Sequence, residues 1–136
     1  MLDGLTHEQQ MLQESTRRFV DEEMLPHEDL VDRDGHVPIE LGRQIESRAK
    51  EIGLFAANLP ENVGGGGLDY TCMAVIEREF GRTSHALHAW VARPTELLLA
   101  TEGAQKEKYL APCVTGAQRE LCALSEPEAG SDIMSM

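Results

Sequence analysis

The sequence predicts an all-α fold that ends in a single β-strand. Three observations carry this reading. Apolar residues recur at helical spacing in four successive stripes. Each stripe is bounded by residues that start or stop helices. Strict alternation appears only near the C-terminus, where Leu121 and Ala123 alternate with Cys122 and Leu124.

Thr6 opens the first helix, with Gln9 three residues on, the spacing of a capping box. Glu8 and Glu14 lie early in it, where the helix dipole favours acids. Met11, Leu12, Phe19, Val20 and Met24 form its one-sided stripe, and Pro26 stops or kinks it. The stretch 28–36 is charged, and Asp34-Gly35 marks a turn. Pro38 suits a first helical turn, Leu41, Ile45, Ala49 and Ile52 form the second stripe, and Gly53 stands at its C-terminal cap.

A short apolar run, 54–59, leads into Pro60 and the glycines Gly64, Gly65, Gly66 and Gly67. By composition the glycine run is a flexible connector. No Lys followed by Ser or Thr comes after it, so it is not a phosphate loop. Asp69 caps a third helix with Met73, Ile76 and Phe80 inward and Gly81 near its end. Ser84 begins a fourth that carries Leu87, Trp90 and Val91, then Leu97 and Leu98, with Pro94 breaking or bending the pattern. Gly103 precedes a short helix, 104–110, which ends before Pro112.

The chain has 136 residues, enough for one domain with a core, and its 41% apolar content is that of a globular protein. Twenty-four acids against 12 basic residues give a net charge of −12. That balance argues against nucleic acid and against anionic membrane surfaces, and leaves any anionic ligand dependent on local donors. No apolar run approaches membrane-spanning length. Cys72, Cys113 and Cys122 form no CxxC pair; an odd number without a signal peptide predicts free thiols in a reducing cytoplasm. His85 and His88 share a helical face but have no third ligand near in sequence, so no metal is expected. Trp90 and the methionines are most simply core, and the acids at 21–23 and 28–29 a solvated face.

The alternating stretch runs into Ser125, Glu126 and Pro127, then Gly130, Ser131 and Asp132. Small residues in a tight turn let successive N–H groups converge on an anion or the polar edge of a cofactor, and the same residues also make an ordinary turn. One strand cannot pair with itself. The expected organisation is therefore a helical domain, 1–119, and the opening of an incomplete β-domain, 120–136.

Three motifs bear a family resemblance. The run Ala-Leu-Ser-Glu-Pro-Glu-Ala-Gly-Ser-Asp at 123–132 resembles the flavin-contacting signature of the acyl-CoA dehydrogenase family: Thr or Ser, Glu, Pro, two variable residues, Gly, Ser, Asp. Pro-Glu-Asn-Val-Gly-Gly-Gly-Gly-Leu-Asp at 60–69 resembles its Pro-Glu-x-x-Gly-Gly-x-Gly segment. Glu-Lys-Tyr-Leu-Ala-Pro at 107–112, with Thr-Gly-Ala at 115–117, resembles its Lys-Tyr-Leu-x-Pro…Gly-Glu approach to the strand. The departures are Gln118, near where the family often has Glu, and Glu128, where small residues are common.

The resemblance implies an N-terminal helical-bundle domain, followed elsewhere by a β-domain and a further helical domain. It implies FAD as cofactor, contacted by Cys122, Ala123, Leu124, Ser125, Gly130 and Ser131. Ser125 would stand beside the isoalloxazine ring, with the N–H groups of Leu124 and Ser125 on the same edge; Ser131 would lie near the pyrophosphate and the bound acyl-CoA. The glycine segment becomes a fixed loop near the active site, and the helices one wall of the acyl pocket. The family's proton-abstracting glutamate comes from a later domain, so no catalytic residue is assigned here. Glu126 and Asp132 are expected to hold the loop through backbone N–H groups. The implied reaction is α,β-dehydrogenation of an acyl-CoA thioester, with the remaining domains or further copies of the chain as partners. The opposing expectation is a truncated, non-catalytic helical interaction module.

Overall fold

The computed structural model describes residues 4–91, 93–121, 123–132 and 134. The capping box forms as its spacing requires: Gln9 N–H donates to Thr6 Oγ1 at 3.2 Å, and Thr6 N–H to Gln9 Oε1 at 3.0 Å. Helix α1, His7–Phe19, then widens into a π turn, Val20–Met24, and tightens into a 3₁₀ turn, Leu25–His27, which carries Pro26. Pro26 therefore redirects the helical path, and α2, Glu28–Asp34, follows at once. This corrects the reading of 28–36 as a charged stretch with a turn. The helix buries Val31, has Glu28 and Asp29 at its dipole-favoured end, and closes on Gly35 at φ 71°. Glu28 also accepts the Ser84 N–H at 2.6 Å, a tertiary contact that local sequence does not announce.

Helix α3, Ile39–Glu51, ends as expected: Gly53 sits at φ 74°, and Leu54 N–H donates to Ala49 O at 2.9 Å. Asp69 caps α4, Tyr70–Phe80, by accepting the Cys72 N–H at 2.8 Å. The fourth stripe splits. Its first part forms the short α5, His85–His88, and beyond Pro94 a 3₁₀ turn, Glu96–Ala100, takes Leu97 and Leu98. The last helical run extends over 104–114 through a π turn, Lys106–Leu110, into α6, Ala111–Val114. It does not stop before Pro112. Pro112 lies in the first turn of α6, directly after the π turn, so the helical path continues past it.

The main core lies between α1, α3, α4 and α5. Phe19 and Phe80 meet edge to face, with centroids 6.2 Å apart, among buried Val20, Met24, Ile45, Ala49, Met73, Ile76, Leu87 and Val91. Met11 and Ile52, expected in the stripes, are exposed. The most deeply buried charge is Glu79, only 1% exposed. The Arg17 guanidinium grips it through two bonds, 2.9 and 3.1 Å, Gln13 adds one at 3.0 Å, and Arg82 approaches to 3.4 Å. These donors hold the Glu79 carboxyl below the usual carboxylate range, the Arg17 hydrogen bond foremost, against the opposing effect of burial.

A second, smaller core joins Ala56 and Leu59 to Leu110 and Val114. The glycine run closes over it. Four backbone bonds staple the loop: Gly65 N–H to Pro60 O, Gly66 to Ala56 O, Gly67 to Leu59 O and Leu68 to Ala57 O, between 2.8 and 3.1 Å. A side chain at Gly65 would collide with the Leu59 backbone, and Gly64 and Gly67 have φ of 92° and 63°. The loop is thus fixed, not a flexible connector. Among the described residues none belongs to a strand. Leu121 and 123–125 are non-helical, but the pairing that defines a strand has no partner there. No described helix is long and apolar enough to cross a membrane.

Candidate functional site

The predicted flavin segment leaves the helices after Gly116, whose φ of 71° turns the chain out of α6. Arg119 and Glu120 bond back to the body, as described below. Leu121, Ala123, Leu124 and Ser125 then stand exposed, Leu121 at 98%. Cys122 lies outside the described residues. A closed turn follows: Glu126 N–H donates to Ala129 O at 2.8 Å, and Ala129 N–H returns to Glu126 O at 3.3 Å. Pro127 and Glu128 form its tip, so the closed turn sits at 126–129. Gly130 and Ser131 form an exposed bend beyond it. The arrangement brings Leu124, Ser125, Gly130 and Ser131 onto one short, solvent-accessible stretch on both sides of a tight turn. Among the described residues, no hydrogen bond engages the Leu124 and Ser125 N–H groups or the Ser125 hydroxyl. Donors and small side chains of this kind fit the polar edge of a flavin.

A cleft of about 380 Å³ opens beside the glycine loop, between Pro60, Leu68, Tyr70, Met73, Glu96 and Leu99. The Tyr70 hydroxyl donates to Glu96 at 3.3 Å across it. Its lining was not singled out in the sequence, because its residues come from three separated stretches. Other candidates resolve into structural roles. His88 lies 5.5 Å from the Phe80 ring, with Nε2 3.2 Å from Glu77 Oε2. Burial pushes the Cys72 and Cys113 thiols up, away from the reactive thiolate.

The family profile described as "Acyl-CoA dehydrogenase, N-terminal domain" matches residues 6–117. The chain belongs to the acyl-CoA dehydrogenase family. A 3-(aryl)acrylate reductase of Clostridium sporogenes is 31% identical over 132 residues, 93% of this chain and 34% of that protein. Mitochondrial isovaleryl-CoA dehydrogenase of Pongo abelii is also 31% identical, over 140 residues, 99% of this chain and 33% of that protein. The crystal structure of an acyl-CoA dehydrogenase complexed with FAD from Bacillus anthracis matches with a TM-score of 0.79 at 28% identity, covering 100% of this chain and 24% of that one. The chain spans about a third or less of the length of these relatives. It corresponds to the helical N-terminal portion of an acyl-CoA dehydrogenase. The profile ends at residue 117, just before the candidate flavin segment, whereas the two relatives align over nearly the whole chain.

Proposed function

We propose that this chain forms the N-terminal part of a flavin-dependent acyl-CoA dehydrogenase that removes an α-proton and a β-hydride from a CoA thioester. The observation that carries the proposal is the fold match over the whole chain to a family member complexed with FAD, at 28% identity. The domain boundary falls at 119/120. When bound, FAD supplies the hydride acceptor. This chain's part is to hold the flavin edge. Leu124 and Ser125 offer backbone N–H donors, and the Ser125 hydroxyl a third, toward the edge where negative charge develops; fixed donors there favour the reduced state. The family resemblance assigns Cys122 and Ala123 to the same edge. Gly130 and Ser131 lie beyond the closed turn, toward the pyrophosphate and the acyl-CoA. Glu126 and Asp132 serve the loop, and the proton-abstracting carboxylate belongs to sequence outside these residues. The cleft beside the glycine loop forms a wall of the acyl site. Further copies of the chain, or the remaining domains of the enzyme, cover the exposed apolar residues, Leu97, Leu121 and Leu124. The cytoplasm suits the three scattered cysteines.

The reverse direction, reduction of an enoyl thioester, has support of the same weight. Relatives named as reductases, among them the Caffeyl-CoA reductase-Etf complex subunit CarC of Acetobacterium woodii, match at 31% identity, the same as the isovaleryl-CoA dehydrogenase of Pongo abelii. The test is anaerobic mixing of the complete FAD-loaded enzyme with straight, branched and aryl acyl-CoAs, and of its reduced form with the enoyl-CoAs. Loss of oxidised-flavin absorbance in the first series, or its return in the second, is expected. Silence in both would overturn the proposal.

A further inference from the structure

Residues 119 and 120 are tied to three separate stretches of the helical body. The Arg119 guanidinium lies over the Trp90 ring, 4.2 Å from its centroid. Its Nη1 donates to Ala89 O at 3.0 Å, and its Nη2 to Glu46 Oε2 at 2.5 Å. Glu46 is 8% exposed, and its second oxygen takes Lys50 Nζ at 2.5 Å. Burial pushes the Glu46 carboxyl up, but the hydrogen bonds from Lys50 and Arg119 outweigh it and hold the group below its ordinary range. The next residue, Glu120, accepts the Thr95 N–H.

An exposed ion pair alone contributes little. Arg119 does more, because its planar fork stacks on an aromatic ring and binds a buried carboxylate at the same time. The surroundings are built to admit it. A Cβ at Gly42 would run into the Trp90 ring, and one at Gly116 would run into Lys50 and Glu46. Glycine at both positions leaves room for the Trp90–Arg119–Glu46–Lys50 stack. Among the described residues, no hydrogen bond ties Leu121 or 123–125 to the helices. The last hydrogen-bonded anchor before Leu124 and Ser125, among the described residues, is therefore 119–120. Ser125 is five residues further, within about 18 Å of extended reach.

We propose that Arg119, together with Glu120, is a positioning residue. The pair sets the point and direction at which the chain leaves the helices, and so confines the Leu124 and Ser125 donors to the reach of that point. The flavin half of this rests on the function proposed above; the anchoring does not. Backbone ¹⁵N order parameters of the chain test the anchoring directly. In Arg119→Ala the values at 119–121 should fall below about 0.6 while those of α1 and α4 stay rigid. Arg119→Lys, which keeps the charge but loses the planar stack, should recover only part of the order. Unchanged order in both variants overturns the proposal. In the complete enzyme, Arg119→Ala should weaken FAD about tenfold by loss of preorganisation, measured well below the variant's thermal midpoint, with Arg119→Lys intermediate. Lost order with unchanged FAD affinity would reduce Arg119 to a structural clasp and overturn its positioning role. If the unsubstituted enzyme takes no FAD, the proposed function fails, and the order parameters alone still decide the anchoring.

Discussion

The helical body and the segment 121–131 solve opposite problems. In the body, the buried carboxylates find their partners within the chain, as Glu79 does with Arg17 and Gln13. In the segment, Ala129 alone of the described residues is buried, and the candidate donors face outward. The body is specified by its own contacts. Among the described residues, hydrogen bonds hold the segment at its root, Arg119 and Glu120, and close its tip at the turn. Stability and chemistry therefore reside in different parts of the chain and should respond to different substitutions.

The largest expected effect would sharpen that division. The 136-residue chain alone should show no acyl-CoA-dependent dye reduction with added FAD, because its exposed segment leaves a flavin open to water and no base is assigned within it. Turnover by this chain would place the base within these residues, with Glu126 the first suspect. Next in size, Glu79→Ala removes the acceptor shared by Gln13, Arg17 and Arg82, and should cost about 2–3 kcal/mol in denaturant unfolding. A change within 0.5 kcal/mol, the ordinary range of surface substitutions, would mean the buried carboxylate does not hold α1 to α4.

The same carboxylate gives the body an acid limit. The folded state depresses Glu79 and Glu46, so their stabilisation is present above the ordinary carboxylate pKa, about 4.3, and is lost as pH falls through the lower folded values. Thermal midpoints followed downward from pH 5 should drop, and drop less steeply in Glu79→Gln. Ser125→Ala in the complete enzyme should slow flavin reduction about ten- to a hundredfold, from loss of one charge-assisted bond of about 1.5–3 kcal/mol. Stopped-flow reduction beside a flavin titration measures it; an unchanged rate with flavin bound would withdraw Ser125 from the site. The smallest effect should be Leu124→Ser in the isolated chain, within about 0.5 kcal/mol of unchanged stability. A larger loss would show that the segment packs on the body after all.

What the sequence showed of this molecule followed the range of the forces involved. The Thr6–Gln9 box and the Asp69 cap are interactions between residues three apart, so spacing alone exposes them. Helix α2 was missed because it buries one apolar side chain and draws support from Ser84, 56 residues away. The run through Pro112 was missed because proline signals a stop unless it opens a helical turn. Trp90 was read as core, yet its ring also carries Arg119; only the Glu46-to-Lys50 spacing hinted at charge there, and Arg119 lies 73 residues from Glu46. The flavin signature was legible as a motif, but the strand expected with it requires a neighbour to pair with.

The closed turn at 126–129 bears on the order in which an enzyme of this kind assembles. Pro127 fixes one φ in advance, and the reciprocal bonds between Glu126 and Ala129 hold the rest of the tip before anything docks against it. Ordering a residue's backbone costs about 1–2 kcal/mol. A tip already in shape spares most of that cost at the moment of docking, leaving only the short stretch 121–125 to settle. The incoming sheet or cofactor then meets a hook rather than a loose thread, and the final fit becomes an adjustment about the root at 119–120 more than a search over conformation.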